Sequence, residues 1–292
     1  MSAYTTAKFL AAVERRSFAP ENQTTFDTTD ILAIADEVIK SKILPAILKP
    51  REEFYATYKD YSITEDQAAY EIPVRAVGML AREVVVVRDS KITPLARTEL
   101  DRITSTQSTG NAPESFYFRG SDLVLHPIPG STQDTLRVYY YIRPGELVEA
   151  ADTAVISAIN TTTNVVTVNT IPSTWATGNT FDFIRKNGAH DYRGVDYTST
   201  LVSGTDITFS SLPTGLVVGD YLALEGESSL VQIPPDFQPA LVTLTAAVLI
   251  KSQNQTNGDK LEKEGMELLV EAQKMVTPRA IGEDQVIVAD WF

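Results

Sequence analysis

The sequence predicts an α+β protein in which helices from both ends of the chain form a bundle, together with a β-strand region and an inserted small β-sandwich or barrel. Apolar residues recur at helical spacing after Asp30 and again after Pro235. Between them, short alternating runs are separated by turn residues, which is typical of strands. The expected division of the chain is a helical body with its strands (1–147 and 232–280), an inserted β domain (148–231) and an extended tail (281–292).

The N-terminal region predicts helices. Residues 5–16 form a short amphipathic stretch, and Asp30 is suited to cap a helix over 31–38, where the apolar residues share one face. Pro45 lacks a backbone donor, so we expect a kink near the residue that precedes it. Pro50 can occupy the first turn of a further helix with an aromatic face.

The following region changes to strand patterns, with β-branched and aromatic residues in short runs. A Gly-Ser-Asp turn at 120–122 joins two of these runs and predicts a hairpin. One short helix is expected at 94–101. The predicted strands are 70–73, 82–88, 115–119, 123–126 and 136–143.

Residues 148–231 have a different composition, dominated by threonine, asparagine and glycine. Short alternating runs are separated by turn signals at close spacing, which favours a small sandwich or barrel. The predicted strands of this domain are 165–168, 180–184, 206–209 and 220–224.

Two antiparallel helices are expected after this domain, because a short connection forces neighbouring helices to pack antiparallel. Asp236 can cap the first of them. Asn257 and Gly258 predict its end, since glycine accepts the left-handed conformation found at helix ends. Asp259 and Glu262 resemble a capping box for the second helix.

The composition is that of an ordinary globular protein, with 292 residues of which 43% are hydrophobic. The net charge of −13 argues against a nucleic-acid-binding groove, which needs clustered lysine and arginine. Cysteine is absent, which excludes disulfides and thiolate metal sites. No apolar run is long enough to span a bilayer and the first residues do not resemble a signal peptide, so we expect an intracellular protein with no membrane partner.

Catalytic chemistry has little support in the sequence. The two histidines, His126 and His190, are accompanied by no nucleophile-elbow serine and by no second histidine at metal-ligand spacing. A phosphate-binding P-loop and an alternating Asp/Asn calcium loop are missing as well. We therefore expect no enzyme activity, no metal and no cofactor.

A carbohydrate-binding or carbohydrate-cleaving protein built on the β domain is the alternative from another functional class. Aromatic side chains there could stack on sugar rings, and neighbouring carboxylates could act as a catalytic pair. The residues concerned are Trp175, Tyr192, Tyr197, Asp191 and Asp196.

The end of the sequence is the strongest candidate for a binding site. Residues 285–292 are too apolar for a solvated segment and too few to fold alone. Aromatic and branched side chains of this kind dominate the anchors of protein interfaces. The predicted partner-binding residues are Ile281, Val286, Ile287, Val288, Trp291 and Phe292.

Three stretches carry a resemblance to a known family: the helical segment 27–39 with its extension to Tyr58, the strands 116–127 and 136–148, and the segment 231–241 with the helices behind it. In the order of its helical and strand segments and in their residue patterns, the chain resembles the head-to-tail connector (adaptor) proteins of tailed bacteriophages. These are ring subunits that sit beneath the portal.

The resemblance implies a non-enzymatic structural subunit of the virion, assembled in the host cytoplasm at the head–tail junction. It implies a homo-oligomeric ring, commonly of twelve copies, that binds the portal protein and downstream tail or neck proteins. DNA would pass through its channel without specific binding, and the C-terminal segment would reach the portal. A tail-tube or gatekeeper ring is the other interpretation within this structural class.

Overall fold

The computed structural model describes residues 3–17, 26–99, 109–110, 112–130, 134–186 and 192–277 of the chain. Over these residues the protein is α+β, as the sequence predicts. The chain divides into two compact units, one made of residues 1–54 with 144–292 and the other of residues 55–143. The expected limits of an inserted domain, at residues 148 and 231, remain a prediction.

The first unit contains the helices. They are α1 (Thr6–Ser17), α2 (Thr28–Val38), α3 (Leu44–Leu48), α4 (Gln238–Lys251) and α5 (Gln255–Val276), with a π-helical segment (Ile39–Ile43) and 3-10 turns (Ala150–Asp152 and Pro235–Phe237). Helix α4 packs against α1, α2 and α5. It is buried on several sides, as Leu241, Thr245 and Leu249 show, because a helix that is apolar nearly all round is driven into the interior.

The start of α2 is fixed by a reciprocal pair of hydrogen bonds. The Asp27 carboxylate accepts from the Asp30 N–H at 2.8 Å, and the Asp30 carboxylate accepts from the Asp27 N–H at 3.3 Å. The cap is therefore Asp27, and the expected cap at Asp30 was wrong by one turn. The disturbance expected before Pro45 takes the form of the π-helical segment, which ends two residues earlier.

The start of α5 also differs from the expected one. Its cap is Asn254, whose side chain accepts from the Asn257 N–H at 3.1 Å, so Gly258 lies inside the first turn and stops no helix. A Cβ at Gly258 would lie 2.9 Å from the backbone N of Lys251. Glycine is required here because two helices approach closely, and not because a helix ends.

The second unit is built from strands. They are β1 (Ala56–Ser62), β2 (Ala69–Glu71), β3 (Ala76–Arg88), β4 (Lys91–Pro94), β5 (Ala96–Arg97), β6 (Thr109–Gly110), β7 (Ser115–Arg119), β8 (Asp122–His126), β9 (Ile128–Pro129) and β10 (Thr135–Ile142). One sheet has the order β1-β10-β3-β4 and another the order β2-β8-β7-β5. The predicted hairpin is confirmed as β7 and β8, paired from Ser115 opposite His126 to Arg119 opposite Asp122.

The predictions of two helices near this unit were wrong. After Pro50 the chain forms a single 3-10 turn and then enters β1. Along β1 the exposure of the side chains alternates residue by residue, because one face of the strand is covered. The expected helix 94–101 gives way to β4 and β5, since β4 returns along β3 with Val85 opposite Pro94. Tertiary strand pairing outweighs the weak helical preference of so short a segment.

The rest of the first unit contains a closed six-stranded barrel, ordered β12-β13-β16-β15-β14-β17. The strands after residue 143 are β11 (Glu146–Leu147), β12 (Ala154–Asn160), β13 (Val165–Val168), β14 (Thr180–Ile184), β15 (Tyr192–Ser203), β16 (Asp206–Phe209), β17 (Tyr221–Leu224) and β18 (Glu227–Ser228). The expected sandwich or barrel is thus a barrel. Its interior is filled by aromatic and branched side chains, including Phe181, Phe183 and Phe209.

Candidate functional site

Only one of the two histidines considered for catalysis lies among the described residues. His126 ends β8, and His190 lies outside the described residues. Across the described ranges, no group of three or more histidine, cysteine, aspartate or glutamate side chains is placed to hold a metal ion. The described helices also include none that is long and apolar enough to cross a membrane.

The aromatic residues proposed to stack on sugars serve other purposes. Trp175 is only 6% exposed and packs edge-on against Phe181 inside the barrel, with ring centroids 4.9 Å apart. Tyr197 packs edge-on against Phe183, and the Tyr192 hydroxyl donates to Gln232 at 2.7 Å. Two of the three rings therefore help to build the barrel interior.

The carboxylates of the barrel act as anchors for its own backbone. Asp182 is fully buried and accepts from the N–H groups of Asp196 and Gly226, each at 3.1 Å. Asp220, also fully buried, accepts from the Lys186 N–H at 3.0 Å and from the Arg193 guanidinium at 3.1 Å. Buried carboxylates satisfied in this way hold loops in place. Asp191, the other candidate acid, lies outside the described residues.

A junction between α2 and β11 contains a carboxylate whose pKa is strongly raised. Both carboxylate oxygens of Asp36 accept from the Leu147 N–H, at 2.9 and 3.1 Å. Burial raises the pKa of Asp36 to about 6, although the Leu147 hydrogen bond and the Lys40 charge oppose this shift. Lys40 in turn pairs with Glu146 at 2.7 Å. The junction is a titratable connection between a helix and a strand.

A second carboxylate near this junction is also perturbed. Burial raises the pKa of Glu227 on β18, and the charges of Asp152 and Glu146 add to the effect. Because β18 pairs with β11, this short parallel ladder brings several carboxylates into one neighbourhood. Like charges placed so close disfavour ionisation, so the neighbourhood is not a preformed anion-binding site.

A cluster of four charged side chains, which we call the clamp, joins α5 to its neighbours. The Glu262 carboxylate pairs with Lys42 of the π-helical segment at 2.7 Å and with Lys251 at the end of α4. Lys251 also pairs with Asp259 at 3.0 Å. The hydrogen bonds from Lys251 and Lys42 lower the pKa of Glu262 to about 2. The clamp therefore fixes α5 electrostatically at a place where its first turns cross other helices.

An open groove runs between α1, α4 and α5. Its two cavities have volumes of about 910 and 700 Å³ and share Arg15, Arg16 and Glu264, with Arg16 paired to Glu264. We call this surface the α1–α5 groove. Its charged lining is Lys8, Arg15, Arg16, Lys260 and Glu264, and its apolar lining includes Ala12, Pro239, Val242, Leu261 and Leu268.

The charge of this groove is opposite to that of the whole protein. Four cations and one carboxylate line it, whereas the chain carries a net charge of −13. A basic, partly apolar groove in an acidic protein is suited to an acidic and apolar ligand segment. The sequence offered a signal for it in the adjacent Arg15 and Arg16 at the end of α1, but the other lining residues come from distant segments.

The second unit has its own exposed apolar surface. Leu80 and Val74 are 58% and 66% exposed, and Met79 lies between them in sequence at a positive φ of 53°. Met79 and Leu80 lie in the irregular first part of β3, where its register with β10 shifts, and Val74 precedes the strand. A bulge of this kind turns side chains away from the sheet, which explains why apolar residues of a strand face solvent.

The six residues predicted to bind a partner cannot be placed in this geometry. Ile281, Val286, Ile287, Val288, Trp291 and Phe292 all lie outside the described residues. The last described residue, Thr277, directly follows α5. The partner-binding role of this tail remains a prediction.

Comparison with known proteins identifies the family. The family model described as SU10 adaptor protein matches residues 5–178, which is more than half of the chain. The match includes α1, α2, the whole of the second unit and the first strands of the barrel. No curated protein matches the chain at a significant level. The chain belongs to the SU10 adaptor protein family, which confirms the resemblance to phage head-to-tail adaptors.

Proposed function

We propose that this protein is a non-enzymatic structural subunit of a phage neck ring, which joins the portal to the tail and extends the DNA channel. The observation that carries the proposal is the family match over residues 5–178. In this proposal the subunit is a virion component that assembles in the host cytoplasm.

The helices supply the wall of the proposed ring. Helix α4 contacts α1, α2 and α5, so helices from both ends of the chain come together around one buried element. We interpret this arrangement as the expected helical bundle. Residues 148–231, which contain the barrel, then form an inserted platform. Twelve copies per ring is the number that the resemblance implies.

The charge of the chain suits a channel through which DNA slides. With a net charge of −13, the subunit repels a polyanion on average. Such a surface offers few lysine and arginine side chains that could displace the counterions of the DNA phosphates. DNA therefore passes through the ring without specific binding. Portal, tail and neck proteins bind the ring at its outer and axial surfaces.

The tail residues provide the contact with the portal. Residues 285–292 combine two aromatic and three branched side chains with a single carboxylate, Asp290. A short segment of this composition can insert into a pocket and contribute most of the binding energy of an interface.

The mass of the purified protein tests this proposal. We expect light scattering and negative-stain microscopy to show either a ring near twelve copies or a ring that forms only when a candidate portal is added. The control is a variant in which Val288 and Trp291 are replaced by serine. It should keep the secondary structure of the wild type but lose the portal-bound ring.

Two outcomes would count against the proposal. A chain that remains monomeric with its portal present is not a neck adaptor. A chain that ignores the portal but forms rings or tubes on purified tails is a tail-tube or gatekeeper protein, which is the other structural interpretation. The buried position of Trp175 removes the main support for a carbohydrate-binding function.

A further inference from the structure

The α1–α5 groove has a chemistry that the proposed function leaves unused. It is partly apolar, and its charged lining has a net positive charge. The guanidinium of Arg15 lies on an exposed side chain near the middle of the groove, because Arg15 lines both cavities. An occupant would need acidic residues beside apolar ones.

The path of the chain leads to one end of this groove. Helix α5 runs antiparallel to α4, so its last turns lie near the start of α4 and contact the 3-10 turn Pro235–Phe237. Pro235 itself lines the groove. The chain therefore leaves α5 beside the end of the groove that Tyr4 and Lys8 form.

The length of the following segment is sufficient to fill the groove. Residues 278–292, when extended at about 3.3 Å per residue, reach about 50 Å. Helix α1, along which the groove runs, is about 18 Å long at about 1.5 Å per residue. The segment can enter the groove and continue along all of it without strain.

The composition of the segment matches that of the groove. Glu283, Asp284 and Asp290 are acidic, and Arg279 is the only cation in the segment. Between the acidic residues lies the apolar run 286–289. This order places carboxylates on both sides of an apolar centre, as an apolar groove with scattered cations requires.

We propose that residues 281–292 occupy the α1–α5 groove of their own chain in the free subunit. Such occupancy hides the apolar side chains until assembly and keeps the segment available for another partner. This occupancy concerns the isolated protein and does not depend on the portal. It can therefore be disproved while the neck-ring function holds, and the neck-ring function can be disproved while the occupancy holds.

A labelled peptide tests the proposal on the full-length protein. The probe is a fluorescein-labelled peptide with the sequence of residues 279–292, and its anisotropy is measured at a concentration where light scattering shows a monomer. The wild type is compared with a tail variant, Val288→Asp with Trp291→Ser. We expect the tail variant to bind the peptide about tenfold more tightly, because the wild-type segment competes at high effective concentration.

Charge reversal in the groove provides the second arm. Within the tail variant, Arg15→Glu should weaken peptide binding about fivefold, as expected for an exposed charge pair. Arg119→Glu, on an exposed residue of β7 in the other unit, is the matched control and should leave the affinity unchanged. Circular dichroism of each variant verifies that the fold is retained.

Several results would overturn the proposal. Equal affinity of the wild type and the tail variant for the peptide would mean that the segment does not occupy the groove, as would the absence of any binding. Binding that is insensitive to Arg15→Glu would place the peptide elsewhere.

Discussion

Asp36 is a residue whose titration makes the stability of the fold depend on pH. Its carboxylate holds the N–H of Leu147 at the start of a short parallel ladder, and burial raises its pKa to about 6. Nothing in the local sequence indicates this role, since Asp36 is one of two adjacent acidic residues in an otherwise apolar helical stretch. Its function depends on a strand more than a hundred residues away, which local patterns do not reveal.

Stability should fall as pH rises through the range in which Asp36 ionises. The folded protein holds this proton more tightly than the unfolded chain, so ionisation costs folding free energy between pH about 4 and about 6. We predict that Asp36→Asn removes this loss. In urea unfolding, the variant should gain about 1 kcal/mol relative to the wild type between about pH 5 and about pH 7.5.

The same pair of proteins supplies the control for Asp36. Between about pH 7.5 and about pH 8.5 the carboxyl is fully ionised in both states, so the difference in unfolding free energy should stay constant. A difference that is independent of pH over the whole range would show that Asp36 does not titrate abnormally.

The clamp at Glu262 should show the opposite pH dependence. Its pKa is lowered to about 2, so its contribution is fully present above the unfolded value of about 4 and is lost as pH falls through about 2. We predict that Glu262→Gln lowers the free energy of unfolding by about 1 kcal/mol at neutral pH, since the paired side chains are 31–37% exposed and solvent screens their charges.

Salt and a matched variant distinguish the clamp from a packing effect. The loss caused by Glu262→Gln should shrink at about 1 M salt, where exposed charges are screened. Glu267→Gln, on an exposed position of the same helix, should change the stability little. Equal losses for the two variants would contradict the role of the clamp.

At the scale of the elements, the contact between α4 and α5 depends on glycine. A Cβ at Gly265 would lie 2.7 Å from Cδ2 and 2.8 Å from Cγ of Leu244. We predict that Gly265→Ala destabilises the protein by about 2 kcal/mol, although alanine is the better helix former, because overpacking outweighs propensity. Thermal or urea unfolding measures the change.

A double-mutant cycle tests the cause of that loss. Met266→Ala, on the exposed side of α5, is the control and should cost little. In a Leu244→Ala background, Gly265→Ala should cost clearly less than in the wild type, because the side chain that it meets has been shortened. Equal costs in both backgrounds would contradict the proposed contact.

The elements were predictable where the local pattern was strong. The strands 165–168, 180–184 and 206–209 were predicted with the bounds that the structure has, because alternating branched residues between turn signals leave few alternatives. The wrong predictions concern segments whose structure is determined by tertiary contacts. Gly258 signals a helix end in the sequence but serves helix packing, and the residues after Pro50 join a sheet whose partners are distant.

At the scale of the whole molecule, charge should govern the response to DNA. We predict that the protein does not retain double-stranded DNA at about 0.1 M salt, because its net charge of −13 provides no broad cationic surface. Fluorescence anisotropy of a labelled duplex, titrated with protein, measures this. Retention that weakens steeply with added salt would contradict the prediction and assign a phosphate-binding role to the cations of the α1–α5 groove.

The candidate sites were less predictable than the fold. The groove combines residues of α1 with residues of α4 and α5, which follow more than two hundred residues later, so no local motif indicates it. The tail, in contrast, was singled out from composition alone, because apolar and aromatic residues without a partner in their own segment indicate an interface. Its role stays a prediction.

Closure of the barrel has a consequence for aggregation. Strands β13 and β14 consist almost entirely of branched and aromatic residues, which is the composition of segments that stack into cross-β fibrils. In a closed barrel every such strand is paired on both sides, so no edge is left to recruit another chain. We expect cleavage in the exposed turn 161–164, if it opens the barrel, to yield insoluble fibrils rather than a soluble fragment.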